Sequence, residues 1–228
     1  MRGNADAGPS ETGATSMLKL YYTPGACSLA PHIALEETGE RYELERVDLA
    51  ANQQSSPEFL RLNPKARVPV LTDGDWTLTE VPAILRYIAA RHPAAGLWPW
   101  DPREEARCAE WLGWLSSTIH LSAGYVRRAS RYASDPRAAE DVAATGRKTC
   151  RALWEAVEKK LGQERWALGE RYSVADPYLL VYWLWGRSPL LNYDMAHDFP
   201  RWTEHARRMA RRPAVQRVFA SEGLQLPN

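Results

Sequence analysis

Residues 18–33 read LKLYYTPGACSLAPHI, and this stretch decides the fold. Residues 18–22 (LKLYY) are rich in β-forming side chains and predict a short strand. The turn TPGACS follows and opens a helix that should run to about Thr38, with Gly39 as its stop. Pro31 falls in the first turns of that helix, where a missing N–H matters least. A strand that passes through a tight turn into a helix is the start of a strand–helix–strand unit.

Reading outward, residues 42–49 (YELERVDL) predict a second strand. SSPEFLRLNP predicts a short helix capped by Ser56 with Pro57 at its first position. VPVLT, the turn at Asp73-Gly74 and WTLT predict a hairpin. Val81, Ile84, Leu85 and Ile88 then recur at helical spacing over about 81–91. The order β-α-β-α-β-β-α implies a mixed four-stranded sheet of thioredoxin type over residues 17–92. HPAAGLWPWDP, rich in Pro and Gly, marks an interdomain linker at 93–102. Everything from 103 to 228 reads as helix. Residues 103–122 carry Trp111, Trp114, Leu115, Thr118 and Ile119 along one face, and residues 137–162 form a second amphipathic helix. Residues 174–186 (VADPYLLVYWLWG) are apolar nearly all round and should be the buried centre of the second domain. Two more helices are expected near 199–211 and 214–221. The expected fold class is an α/β thioredoxin-like N-terminal domain followed by an all-α helical bundle. Residues 1–16 (MRGNADAGPSETGATS) lack the apolar middle of a signal peptide and are expected to be a disordered extension.

Bulk composition narrows the function classes. A net charge of +1 with 25% charged residues carries no nucleic-acid footprint. No apolar run approaches a membrane span. The three cysteines, Cys27, Cys108 and Cys150, are far apart and lack any C-x-x-C pair. This argues against a disulfide scaffold and a Cys-based zinc site, suits a reducing compartment and leads to the expectation of a cytoplasmic protein without metal.

Three constellations carry chemistry. Cys27 stands at a helix start, where unpaired N–H groups and the helix dipole favour thiolate, so a lowered thiol pKa is expected, with a buried, inert cysteine as the alternative. Position 30, where a thioredoxin-like motif needs its second cysteine, is Ala30. Val68-Pro69 opens a strand; a cis bond there would turn the free N–H and C=O of Val68 toward the Cys27 turn for pairing with an extended peptide, and an edge-strand proline is the other reading. Thr79-Glu80-Val81 meets a helix start: the N–H groups can hold a carboxylate and Glu80 an ammonium, although on its own the pattern defaults to plain capping by Thr79 with an acid in the first turn. A fourth motif, Ser173 to Asp176 preceded by Tyr172, reads as a capping box with a hydrophobic staple, and is structural.

In this order and spacing these elements resemble glutathione transferases over about Met17 to Leu224, most of all the bacterial beta class with its LYYxPGACSLxxHI opening (Leu20 to Ile33). NPKxxVPVL (Asn63 to Leu71), LTExPAIxxYIA (Leu78 to Ala89) and WALGxRYSVADPYL (Trp166 to Leu179) complete the likeness. The resemblance implies a cytoplasmic homodimer that uses glutathione as co-substrate and conjugates it, in detoxification, to hydrophobic electrophiles. It implies that Cys27 and Ser28 act on the sulfur. It implies that Leu49, Asn52, Arg67, Val68, Pro69, Glu80, Val81 and His120 line the glutathione site, and Trp114, Ser117 and Trp185 the second-substrate pocket. Departures stand at Val81, where the class commonly has Gly, at Gly113 and Leu121, where it has Asn and Lys, and at Asn52, where it has Lys. Two alternatives stay open: thiol–disulfide exchange or reductive chemistry through Cys27, and a non-catalytic binding protein of the same fold.

Overall fold

The computed structural model describes residues 17–227; the extension expected over residues 1–16 lies outside them. The N-terminal half contains β1 (Leu18–Tyr22), α1 (Leu29–Thr38), β2 (Tyr42–Arg46), α2 (Pro57–Leu62), β3 (Val70–Asp73), β4 (Trp76–Thr79) and α3 (Val81–Arg91). The sheet runs β2-β1-β3-β4, with β1 and β2 parallel and the other pairs antiparallel. Its register sets Leu20 opposite both Leu44 and Leu71, and Leu71 opposite Leu78. In β1, Leu18, Leu20 and Tyr22 are buried and the residues between them half-buried, the alternation of a strand with one core face.

Local signals stop and start these elements as expected. Gly39 ends α1 in the left-handed region. Ser56 Oγ accepts the Phe59 N–H at 3.2 Å, with Pro57 in the first turn of α2. β2 is shorter than the sequence suggested: after Arg46 the Asp48 carboxylate accepts the N–H groups of Ala50 and Ala51 and turns the chain away.

From Pro102 onward the chain is helical: α4 (Pro102–Trp114), α5 (His120–Arg127), α6 (Pro136–Leu161), α7 (Ala175–Arg187), α8 (Met195–Asp198), α9 (Pro200–Ala210) and α10 (Pro213–Glu222). A π-helical turn, Leu115–Ile119, joins α4 to α5. The wider turn shifts the buried face to Trp111, Leu115, Ile119 and Ala123. Thr118, expected on that face, is therefore exposed, and Trp114 is half-buried. α7 is the buried centre: Tyr178 to Trp183 are all sequestered, and Trp183 Nε1 donates to Thr203 Oγ1 at 3.0 Å. Trp111, Trp154 and Trp202 are fully buried.

One apolar core runs through both halves of the chain, because α1 packs on α3 on one side and on α7 and α10 on the other. Polar ties seal this junction. Glu37 of α1 accepts two bonds from Arg212 and one from Tyr172, while Arg212 lies 3.6 Å over the Tyr172 ring. That is where Tyr172 packs, together with Trp166 at 5.1 Å, rather than serving only as a staple on α7. Among the described residues no helix is long and apolar enough to cross a membrane.

Candidate active site

The turn between β1 and α1 is built by Thr23-Pro24-Gly25-Ala26. The Ala26 N–H donates to Thr23 O at 3.0 Å, and Gly25 has φ +68°. This is a type II geometry, with proline preset at the second position and glycine free to take positive φ at the third. The distal helices hold the Gly25 peptide at both ends. Its N–H donates to Glu222 Oε2 at 2.8 Å, and its C=O accepts from Trp185 Nε1 at 3.0 Å. Glu222 Oε1 is in turn 2.7 Å from His32 Nδ1 under the turn, with both side chains buried.

Beyond this turn opens a cavity of about 290 Å³ between the sheet domain and helices α5 and α7. Cys27, Leu49, Arg67, Val68, Pro69, Glu80, Val81, His120 and Trp185 line it, so most of the residues singled out in the sequence converge there. The Val68-Pro69 bond is cis, and Cys27 Sγ donates to Val68 O at 3.6 Å. Asn63 holds the loop before Pro69: its side chain donates to Arg67 O at 2.7 Å and accepts from Lys65 N at 3.1 Å.

Glu80, not Thr79, caps α3. It sits at φ +75°, a strained conformation for a side-chain-bearing residue, and its carboxylate makes no capping bond. It pairs instead with Lys65 Nζ, which also donates to Thr79 Oγ1 at 2.6 Å. The first N–H groups of α3 therefore open toward the cavity without a side-chain acceptor from Glu80.

Four expected site residues lie elsewhere. Ser28 is fully buried, with its Oγ accepting from Thr23 N and donating to Thr23 O, both at 3.1 Å; the hydroxyl closes the turn and does not face the cavity. Asn52 is exposed and accepts from Gln54 and Ser55, its immediate neighbours. Ser117 donates back to Gly113 O at 2.8 Å, and Trp114 packs on Trp111 at 5.6 Å. Local helix bonding and neighbouring rings claim these groups first.

The electrostatics correct one expectation. Burial pushes the Cys27 thiol up to about 12; the backbone N–H groups of Cys27 and Ser28 and the charge of Arg128 oppose the shift without overcoming it. The helix start acts as foreseen, but removal from water is the larger effect. Burial also pushes His120 down to about 4, assisted by Arg67, Arg128 and Arg127. Neutral His120 packs edge-on to Trp185 at 5.1 Å, with Nδ1 3.4 Å from the Tyr182 hydroxyl. Among the described residues no cluster of His, Cys, Asp and Glu could hold a metal ion.

The cavity also contains residues that the sequence did not single out: Tyr178, hidden in an apolar helix, and Arg127, Arg128 and Arg131 at and just beyond the end of α5. The only signal for the arginines was the run RRASR, which reads equally as a solvated helix end.

Comparison with known proteins bears on this arrangement. Residues 16–90 match the family model for the glutathione S-transferase N-terminal domain, and residues 124–213 that for its C-terminal domain. The chain is 33% identical to the glutathione S-transferase GstA of Escherichia coli O157:H7, over 91% of this chain and all of that protein. The fold superposes with a TM-score of 0.84 on a Sulfitobacter glutathione transferase homologue solved with bound glutathione. That protein is 39% identical over 92% of this chain and 99% of its own. With the bacterial beta class enzyme of Sphingomonas chungbukensis the TM-score is 0.77 at 36% identity, over 91% of this chain and all of the other.

Proposed function

This chain belongs to the glutathione S-transferase family, and from that premise we propose that it conjugates the glutathione thiol to apolar electrophiles in the cavity beside Cys27. The observation that carries the proposal is a convergence in that cavity: the Cys27 turn, the Val68 main chain before cis Pro69, and the Glu80–Val81 helix start. These features match the head and the thiol-bearing cysteinyl unit of a γ-glutamyl tripeptide. Glu80 takes the ammonium of its head and the N–H of Val81, at the start of α3, takes the adjacent carboxylate. Val68 pairs with the cysteinyl unit as an added strand would.

The cysteinyl N–H of glutathione takes Val68 O, which is now the acceptor of the Cys27 S–H. The neutral S–H is then free to donate to the glutathione sulfur. The positive end of α1 and Arg128 favour the thiolate there. The thiolate attacks the electrophilic carbon, the C–S bond forms, and the leaving group departs with its electron pair. A thiol held near 12 is a poor attacking group for disulfide exchange, so the conjugation reading is preferred over exchange through Cys27. The working form proposed from the family likeness is a cytoplasmic homodimer in the detoxification of electrophiles.

Retention on immobilised glutathione, followed by conjugation of 1-chloro-2,4-dinitrobenzene, tests this reading. A Cys27→Ser variant should keep conjugation within an order of magnitude, because serine also donates one hydrogen bond. A protein that neither binds glutathione nor forms the conjugate would overturn it.

A further inference from the structure

The cavity beside Cys27 holds more positive charge than glutathione requires. Arg67 reaches it from the loop before Pro69; Arg127 comes from the last turn of α5, and Arg128 and Arg131 from the bend that follows. Among the described residues none of these guanidinium groups forms an ion pair. The carboxylate on the cavity wall, Glu80, is already engaged by Lys65. The arginines also lie near enough to oppose one another: after burial, the largest influences holding Arg128 below the ordinary guanidinium value are Arg131, Arg67 and Arg127.

Like charges gathered in a cleft without counter-charge are an anion site waiting for its ligand. Glutathione supplies only part of the compensation. As the thiolate it carries two carboxylates, one ammonium and the sulfur, a net charge of about −2. Lys65 and Glu80 cancel, so about two of the guanidinium charges remain unmatched. Their placement says which. Arg67 shares the wall of Val68 and Pro69, against which the tripeptide lies. Arg128 acts on the Cys27 sulfur and so serves the thiolate, whereas Arg127 and Arg131 come from the helical side of the cavity, which also supplies Trp185, Tyr132, Leu121 and Leu190. The Arg127 guanidinium lies 5.6 Å from the centroid of the Trp185 ring, so a flat apolar surface and a planar cation adjoin each other. A guanidinium fork matches a carboxylate, and an indole face matches an aromatic ring.

We infer that the second-substrate half of the cavity takes an electrophile that is both aromatic and anionic, with its carboxylate held by Arg127 and Arg131 and its ring against Trp185. The inference rests on the transferase reading above and adds the class of the co-substrate. In the probe reaction the thiolate sulfur bonds to the ring carbon that bears chlorine. Chloride leaves with the C–Cl electron pair, and the thiol proton passes to solvent.

Two matched pairs of probes test it on the full chain. The first pair is 3,5-dinitrobenzoate and its methyl ester, titrated calorimetrically with S-methylglutathione present. The carboxylate is expected to bind at least about tenfold tighter, with the advantage shrinking several-fold in about 0.5 M salt. The second pair is 4-chloro-3,5-dinitrobenzoate and its methyl ester, each conjugation rate divided by its spontaneous rate; the same preference is expected in kcat/KM. Arg127→Gln and Arg131→Gln should each narrow both ratios, and the double variant should bring them near unity. The salt dependence and the single variants decide the matter if the double variant does not fold. Equal affinity for acid and ester in the wild type, or ratios untouched by the arginine variants, would sink the inference: the basic run is then only a solvated helix end. Failure of S-methylglutathione to bind is a separate result, which overturns the transferase reading while the acid–ester binding ratio still reports on the arginines.

Discussion

Asp176→Ala should unfold this protein easily while leaving its chemistry intact. The Asp176 side chain is wholly buried and ties three segments together. Oδ2 accepts the Ser173 N–H at 2.8 Å and the Ser173 hydroxyl at 3.4 Å. Oδ1 accepts the Ala167 N–H at 2.8 Å and lies 2.9 Å from His205 Nε2 on α9. Alanine removes every acceptor and leaves two main-chain N–H groups and an imidazole nitrogen without partners. Each buried orphan costs about 1–3 kcal/mol, and a water drawn into the vacated space recovers part of that. The expected loss is therefore about 3–5 kcal/mol, a fall in Tm on the order of 10 °C for a chain of this size. Urea unfolding followed by tryptophan fluorescence measures it, with the slope unchanged if only the native state is weakened. Asp176 is not among the residues lining the cavity, so kcat in the cold, folded variant should stay within about twofold of wild type. A loss under about 1 kcal/mol, or reduced turnover at undiminished stability, would refute the assignment of this residue to folding alone.

Other expectations follow from burial and packing. Because the Cys27 thiol stands near 12, its alkylation in the ligand-free protein should quicken about tenfold per pH unit from 7 to 10; a plateau near pH 8 would contradict this. Glutathione should protect it, while Cys108 and Cys150, with no exposure, should label only on unfolding. His120 has its folded pKa depressed to about 4, so its contribution to stability is present above about pH 6.5 and is lost as pH falls toward 4. Discounted for partial exposure, this is about 2 kcal/mol, and His120→Asn should flatten that limb of a stability–pH curve. Gly186→Ala would set a methyl group 2.5 Å from Met195 Sδ and 2.8 Å from Trp154 Nε1. Overpacking of about 1–3 kcal/mol should appear in thermal melts, and an unchanged Tm would show that α8 yields.

Much of the site is legible in local sequence because it is made of local structure. Pro24-Gly25 selects the turn, Gly39 ends α1, and Ser56-Pro57 opens α2; each acts through backbone preferences that need no distant partner. The alternation of β1 and the spacing of Val81, Ile84, Leu85 and Ile88 likewise announce which faces are buried. The resemblance to a family supplied the roles of Val68 and Glu80, which their residue types alone left open.

What a side chain meets across the fold was not legible. Ser28 and Cys27 are neighbours at one helix start, yet the hydroxyl turns back to Thr23 and the thiol faces the cavity. Asn52 takes up its own neighbours, and the π turn at Leu115–Ile119 moves Thr118 off the face that a regular helix would give it. The acidity of Cys27 was misjudged for the same reason: a helix start is visible in sequence, whereas the packing that removes the sulfur from water is not. Arg67 and the arginines at the end of α5 are about sixty residues apart and meet only because α1 docks on α7 and α10. Sequence alone determined most of the strands, turns and helix ends, since these follow from φ, ψ and hydrogen bonds within a few residues. Tertiary structure alone decided charge, solvation and convergence, since each depends on which distant groups exclude water from the same space.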